Sequence, residues 1–262
     1  MSERTASPIT ISIREGIATM LLDRAGQRNP LSPELLDHAF GELDALERDD
    51  AVRAVILTGA GSVFCAGAQL GTVLHPDGVD AETQFRLLRG FNRLAQRIRE
   101  LDLPVIAAVN GPAVGGGAAL ALACDIAIAA PTASYYFAFG RMGAGACDLG
   151  CAWMLPRIVG AVRARHWLMT GATIGAEEGK AAGLFIEIYP ADTLLDRAHA
   201  LALEIAAAAP RRAMAITKMS IARGEENDFQ TSISYEAYLQ TFLFTQEEHL
   251  AKVRDFMASK KK

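Results

Sequence analysis

NGPAVGGGAALALACD, residues Asn110 to Asp125, joins two apolar runs through three consecutive glycines. The residues leading in, PVIAAVNG (104–111), read as a strand buried on both faces. The residues behind the glycines read as a short helix, and DIAIAAP (125–131) reads as the next buried strand. A strand, a glycine turn, a helix and another strand make a βαβ unit, which predicts parallel pairing and an α/β class.

Working outward, ITISIREGIATMLLDR (9–24) alternates on both sides of Glu15-Gly16 and predicts a β-hairpin. Ser32-Pro33-Glu34 reads as an N-cap with proline at the first helical position, followed by Leu35, Leu36, Ala39, Phe40, Leu43 and Leu46 at helical spacing. AVILTG (54–59) is a short apolar strand, and Phe85, Leu88, Phe91, Leu94, Ile98 and Leu101 mark another helix. From about Ala161 the pattern is helical, interrupted by one strand-like run, FIEIY (185–189). The expected organisation is an α/β core over 1–194 and a helical C-terminal subdomain over 195–262, which suits oligomerisation.

The chain has 262 residues, 51% of them hydrophobic, enough for a sizeable core without staples. Its net charge of −4, with both signs mixed, gives no electrostatic reason to expect a nucleic acid. MSERTASPIT lacks the apolar stretch of a signal peptide, and no long uncharged apolar run predicts a membrane span. Cys65, Cys124, Cys147 and Cys151 lack zinc-site spacing and are expected to be reduced thiols. The terminal SKKK does not match a peroxisomal ending. The expectation is a soluble cytoplasmic protein without metal.

Two glycine-rich segments follow predicted strands: FCAGAQL (64–70) and VNGPAVGGGAALAL (109–122). Ligands of open α/β sheets sit outside the carboxyl ends of strands. A P-loop is excluded because no Gly-Lys-Ser/Thr follows. A dinucleotide fingerprint is excluded because Phe64 stands where the third glycine should be. Two readings remain open. The loops can aim one N–H each at a single oxygen, as an oxyanion hole does. Alternatively, the glycines only permit close helix–strand packing.

FCAGAQL, IAAVNGPAVGGGAALALACDIAIA and MLPRIVG, flanked by QRNPLS and TGATIGAEEGKAAGLF, lie in an order and spacing that resemble the crotonase (enoyl-CoA hydratase/isomerase) superfamily over residues 9–258. The resemblance implies a repeated ββα spiral core, an acyl-coenzyme A thioester as substrate, and an enolate stabilised at the thioester carbonyl. Ala68 and Gly116 would be the two N–H donors. Coenzyme A, as part of the substrate and the only cofactor expected, would lie along Arg24 to Leu31 and Ala66 to Leu70. Arg28 and Lys218 would be phosphate contacts, with Gly115 and Phe139 lining the acyl site. A homotrimer or a dimer of trimers is implied.

Hydratases of that family use two glutamates. Ala119 and Phe139 occupy the corresponding positions here, so the two-glutamate mechanism does not carry over. Asp148 aligns with an aspartate used for proton transfer by dienoyl-CoA and related isomerases. It reads equally as the N-cap of a helix over 149–155. Tyr135, Tyr136, Phe137, Phe139 and Trp153 are candidates for an apolar wall around it. Asp125 is expected to cap the turn after the glycine helix. His75 is a further candidate proton carrier, in a loop (71–80) that would cover the acyl chain. The readings are therefore an enoyl-CoA hydratase lacking its usual carboxylates, a double-bond isomerase using Asp148, or an acyl-CoA-binding protein without catalysis. Thioester hydrolysis remains a further possibility.

Overall fold

The computed structural model describes residues 7–145 and 148–260. The N-terminal hairpin is β1 (Ile9–Arg14) and β2 (Ile17–Leu22), turning at Glu15-Gly16 with both residues at positive φ. Next come α1 (Pro33–Arg48), β3 (Ala54–Gly59), α2 (Ala81–Glu100), β4 (Val105–Val109) and β5 (Pro112–Val114). Then α3 (Gly116–Leu122), β6 (Ile126–Ala129), β7 (Ser134–Tyr136), α4 (Cys151–Val159), α5 (Ala161–Thr170), β8 (Thr173–Gly175) and α6 (Ala176–Ala182) follow. Four helices end the described chain: α7 (Leu194–Ala208), α8 (Arg211–Gly224), α9 (Phe229–Phe244) and α10 (Glu247–Ser259).

The larger sheet has the order β1-β2-β3-β4-β6, parallel except for the hairpin. A smaller sheet runs β5-β7-β8. It continues through two isolated bridges, Cys65 with Ala113 and Leu31 with Ala68. Successive passes of the chain thus place one segment in each layer: β2 then Leu31, β3 then Cys65–Ala68, β4 then β5, β6 then β7. That is a ββα spiral.

Alternation along the parallel strands decides what each face covers. Val55, Leu57, Val105, Ala107 and Val109 point into the main core with α1, α2 and α3. Ile56, Ala54, Ile106, Ala108 and Ile128 point the other way, onto Leu194, Ala198 and Ala202 of α7. The central strands are buried throughout, as the continuous apolar runs require. So α7 covers the sheet, whereas α8, α9 and α10 have no fully buried residue. The helical run expected from 195 begins with a helix of the core layer.

Ser32 caps α1 as expected: its side chain accepts the Leu35 N–H at 3.0 Å and Pro33 opens the helix. FIEIY does not form a regular strand. It lies along β6 with a single bridge, Ala129 to Ile188, held by the bonds Ile186 N–H to Ala127 C=O, Ala129 N–H to Glu187 C=O and Tyr189 N–H to Ala129 C=O. Among the described residues, no helix is long and apolar enough to cross a membrane.

Candidate active site

The two glycine loops meet. Val114 N–H donates to Cys65 C=O at 2.9 Å, and the point where a Gly67 Cβ would sit is 3.5 Å from the Gly116 nitrogen. Gly67 has φ +79° and Gly115 has φ +53° with ψ −116°, backbone shapes that side-chain-bearing residues avoid. Those two glycines turn the chain just before Ala68 and Gly116, where the two loops come together. Among the described residues, neither N–H has a hydrogen-bond acceptor.

The remaining glycines of the triplet serve packing. A methyl group on Gly117 would lie inside contact distance of Cys65, 2.8 Å from its Cβ and 2.9 Å from its Sγ. A methyl on Gly116 would meet the Leu31 side chain at 2.7 Å and Leu149 at 3.5 Å. The packing reading of the glycines holds at Gly117. Gly117 is there for helix–strand packing, while Gly67 and Gly115 supply the positive-φ turns just before Ala68 and Gly116.

Ala68 is held from one side by the segment around Arg28. Ala66 N–H donates to Arg28 C=O at 2.9 Å, Leu31 N–H to Gly67 C=O at 2.7 Å, and Gln69 N–H to Leu31 C=O at 2.9 Å. Asn29, fully buried with φ +52°, organises that segment. Its Nδ2 donates to Ala60 and Val63 C=O, and its Oδ1 accepts the Arg24 N–H at 2.9 Å. Asn110 does the same one pass later, bonding Gly59 N–H and Gly61 C=O. Neither asparagine stood out in the sequence as more than part of a motif. Asparagine beside proline or glycine at a strand end is the signal that was there.

Arg28 is exposed at a left-handed position, and Leu70 is 74% exposed on the outer side of the Ala66–Leu70 loop. Arg24, by contrast, is committed to Glu34 at 3.1 Å and to Ser7 C=O at 3.0 Å.

The phosphate role expected for Lys218 is corrected by its partners. Its ammonium group is 8% exposed and bonds Ile98 C=O at 2.9 Å, Leu103 C=O at 3.0 Å and the Asp125 carboxylate at 2.8 Å. Three donors are spent on three acceptors, so the lysine ties α8 to the core. Asp125 does not cap the turn behind α3: its carboxylate accepts the Val105 N–H at 2.7 Å as well as Lys218. Burial raises its pKa, and the Lys218 ammonium opposes that rise.

Asp148 lies half-buried, next to Leu149, whose side chain packs against Gly116. It is not a side-chain N-cap. Helix α4 starts at Cys151 behind Gly150, and no side chain caps it. Burial pushes the Asp148 carboxyl above the ordinary range, with the Leu149 N–H at 2.9 Å pulling it back. A half-buried carboxyl with a raised pKa has the chemistry of a proton carrier.

Phe139 is half-buried, and a methyl group on Gly115 would meet its ring at 3.8 Å, while Ala119 is fully buried. Tyr135 and Phe137 are fully buried and pack edge-on within the core. His75 is exposed and accepts the Asp77 N–H in its own turn, one residue beyond Leu74, which bridges to Leu70. Cys147 lies outside the described residues.

A sequence model of the enoyl-CoA hydratase/isomerase family matches residues 12–262. The chain belongs to that family. It is 33% identical over 249 residues to 1,2-epoxyphenylacetyl-CoA isomerase of Escherichia coli K12, covering 95% of this chain and 94% of that protein. It is also 33% identical to 4-chlorobenzoyl coenzyme A dehalogenase-2 of an Arthrobacter species, over 90% of this chain and 85% of the other. Among solved structures, enoyl-CoA hydratase from Bacillus anthracis superposes with a TM-score of 0.88 at 31% identity, over 96% of each chain. The enoyl-CoA hydratase/isomerase fold, with its spiral core and terminal helices, is thus shared along almost the whole length. The family's reactions differ among these relatives by name, and the side chains around the glycine loops must decide between them.

Proposed function

We propose that this member of the enoyl-CoA hydratase/isomerase family is an acyl-CoA double-bond isomerase. In this reading the N–H groups of Ala68 and Gly116 hold the thioester oxygen, and Asp148 moves the proton. The single observation that carries it is the placement of Asp148. It is the raised, half-buried carboxylate whose neighbour Leu149 packs on Gly116.

The chemistry needs only these groups. Asp148 removes a proton next to the conjugating carbon, and the electron pair moves through the C–C–O system onto the thioester oxygen. Two fixed donors stabilise that charge more in the transition state than in the bound substrate. The same carboxylic acid then returns its proton at the other end of the allylic system, and the double bond has shifted. Hydration requires activating and delivering a water, for which hydratases of the family use two glutamates. Ala119 and Phe139 supply neither. Coenzyme A would run along 24–31 and 66–70, where Arg28 is free to meet a phosphate and Leu70 to meet the pantetheine arm.

Exposed Phe229, Tyr238, Phe256 and Met257 on the last helices support the reading of a homotrimer or dimer of trimers. The size of the assembly in solution, by light scattering, tests it. A monomer at working concentration would remove it.

The test of function is turnover of 2-enoyl-, 3-enoyl- and arylacetyl-CoA thioesters, followed by mass spectrometry with solvent deuterium. Isomerisation is expected, with deuterium entering at the carbons that exchange protons. Addition of water without double-bond movement would replace the reading by a hydratase. Binding without turnover of any thioester would replace it by an acyl-CoA-binding protein.

A further inference from the structure

Asp148 is followed by two residues with left-handed backbone, Leu149 at φ +51° and Gly150 at φ +78°. Glycine tolerates that conformation; leucine resists it, because its Cβ crowds the following carbonyl. Something must hold Leu149 there. Its side chain is 3% exposed and wedged against Gly116, and its N–H has two acceptors. One is Asp148 Oδ1 at 2.9 Å and the other is Asn92 Oδ1, also at 2.9 Å. Since the donor is a backbone N–H, the Asn92 atom facing it must be the oxygen.

Asn92 projects from the middle of α2, flanked by the buried Phe91 and Leu94 that fix this helix on the core. The acceptor is therefore delivered by a rigid element rather than by a loop. The turn lines a cavity of about 630 Å³ between α2, the start of α4 and α8, and Asn92 stands at its edge.

We propose that Asn92 is a positioning residue, which holds the left-handed Leu149 turn by accepting an N–H that Asp148 would otherwise take alone. The proposal rests on the reading of Asp148 as proton carrier. Sharing the N–H has two consequences. The carboxylate is less tightly bound to its own backbone and remains free to meet substrate. Its ionised form is also less favoured than it would be with the whole N–H. Charged groups around the same cavity are Arg99, Glu100, Asp102, Lys218, Arg223 and Glu226. Arg99 is paired with Glu225, Lys218 with Asp125, and Arg223 with Glu226.

The experiment compares Asn92→Ala and Asn92→Asp in the full chain. It measures kcat and KM across the neutral pH range, together with a carbon-13 carboxyl titration of Asp148, assigned by its loss in Asp148→Asn. Asn92→Ala should lower kcat about tenfold, the scale of one lost hydrogen bond. KM should be unchanged, and the Asp148 midpoint should move down. Asn92→Asp keeps an acceptor, so it should recover most of kcat, while a second carboxylate beside Asp148 moves its midpoint up. Unchanged kcat and midpoint in Asn92→Ala would overturn the proposal. So would equal impairment of both variants with midpoints moving the same way, the sign of general loosening. The titration does not depend on turnover. If Asp148→Asn stays fully active, the proton-carrier reading fails, while the midpoints still decide whether Asn92 governs Asp148.

Discussion

The contact between Gly117 and Cys65 lets one methyl group test packing and function together. In Gly117→Ala the new Cβ would stand 2.8 Å from Cys65 Cβ and 2.9 Å from its Sγ, with the Cys65 carbonyl oxygen nearer still. Ordinary contact begins at 3.4 Å and the carbonyl oxygen stands at 2.4 Å, so the strand and helix must part by about 1.0 Å. Inside a helix the exchange of glycine for alanine gains about 1 kcal/mol. Overpacking against backbone that cannot step aside costs about 1–3 kcal/mol and wins here. For a chain of this size each net kcal/mol lowers Tm by about 2–4 °C. The displaced strand carries Cys65 to Gly67 and then Ala68, while the displaced helix carries Gly116. The two N–H groups separate, and a misplacement approaching 1 Å costs on the order of 100-fold in rate. The expected outcome is a lower Tm with kcat down about 10- to 100-fold. Gly41→Ala is the control: it lies mid-way along α1 with nothing within 4 Å, and should raise stability by about 1 kcal/mol with kcat unchanged. Scanning calorimetry and steady-state assays read both. Wild-type Tm and kcat in Gly117→Ala would refute the argument that this contact sets the donor geometry.

Two further substitutions probe the charged groups. Asp148→Asn should lower kcat by about 10²- to 10⁴-fold, the usual range for a lost acid–base group, with substrate affinity retained. It should also stabilise the fold. Burial raises the folded-state pKa of Asp148 above its unfolded value, so wild-type stability is full below the unfolded pKa and falls as pH rises through the folded one. The gain from asparagine should therefore be present at neutral pH and vanish in acid, as denaturant titrations at both pH values would show. Lys218→Met strands the partly exposed Asp125 carboxylate and the Ile98 and Leu103 carbonyls, and losing a partner in this way costs about 1–3 kcal/mol. Combining it with Asp125→Asn should recover part of that loss, whereas strictly additive effects in the cycle would show that the pair is not coupled.

What could be read in advance followed from local chemistry. The hairpin, the Ser32 cap and the buried strands 54–59 and 105–109 announce themselves through period and turn residues. The meeting of the glycine loops was legible because a strand end followed by glycines has few other uses. The role of Lys218 was hidden, because a lysine in an amphipathic helix looks solvated until three acceptors from 98, 103 and 125 close around it. Asp148 looked like a cap because an acid commonly precedes a helix. Leu149 and Gly150 then turn left-handed, and the helix starts too late for its side chain to cap. Such reversals depend on long-range packing, which spacing along the chain does not carry.

The backbone bonds that tie Arg28 and Leu31 to the loop on either side of Ala68 give the site a way to convert grip into speed. In the proposed reading, a thioester tail settling on 24–31 would press on the segment that is bonded to both sides of Ala68. Attraction to atoms far from the reacting carbons would then be spent on holding the Ala68 N–H still, and would reach the chemistry as turnover rather than as affinity alone. In such a design the handle of the substrate is part of the catalyst.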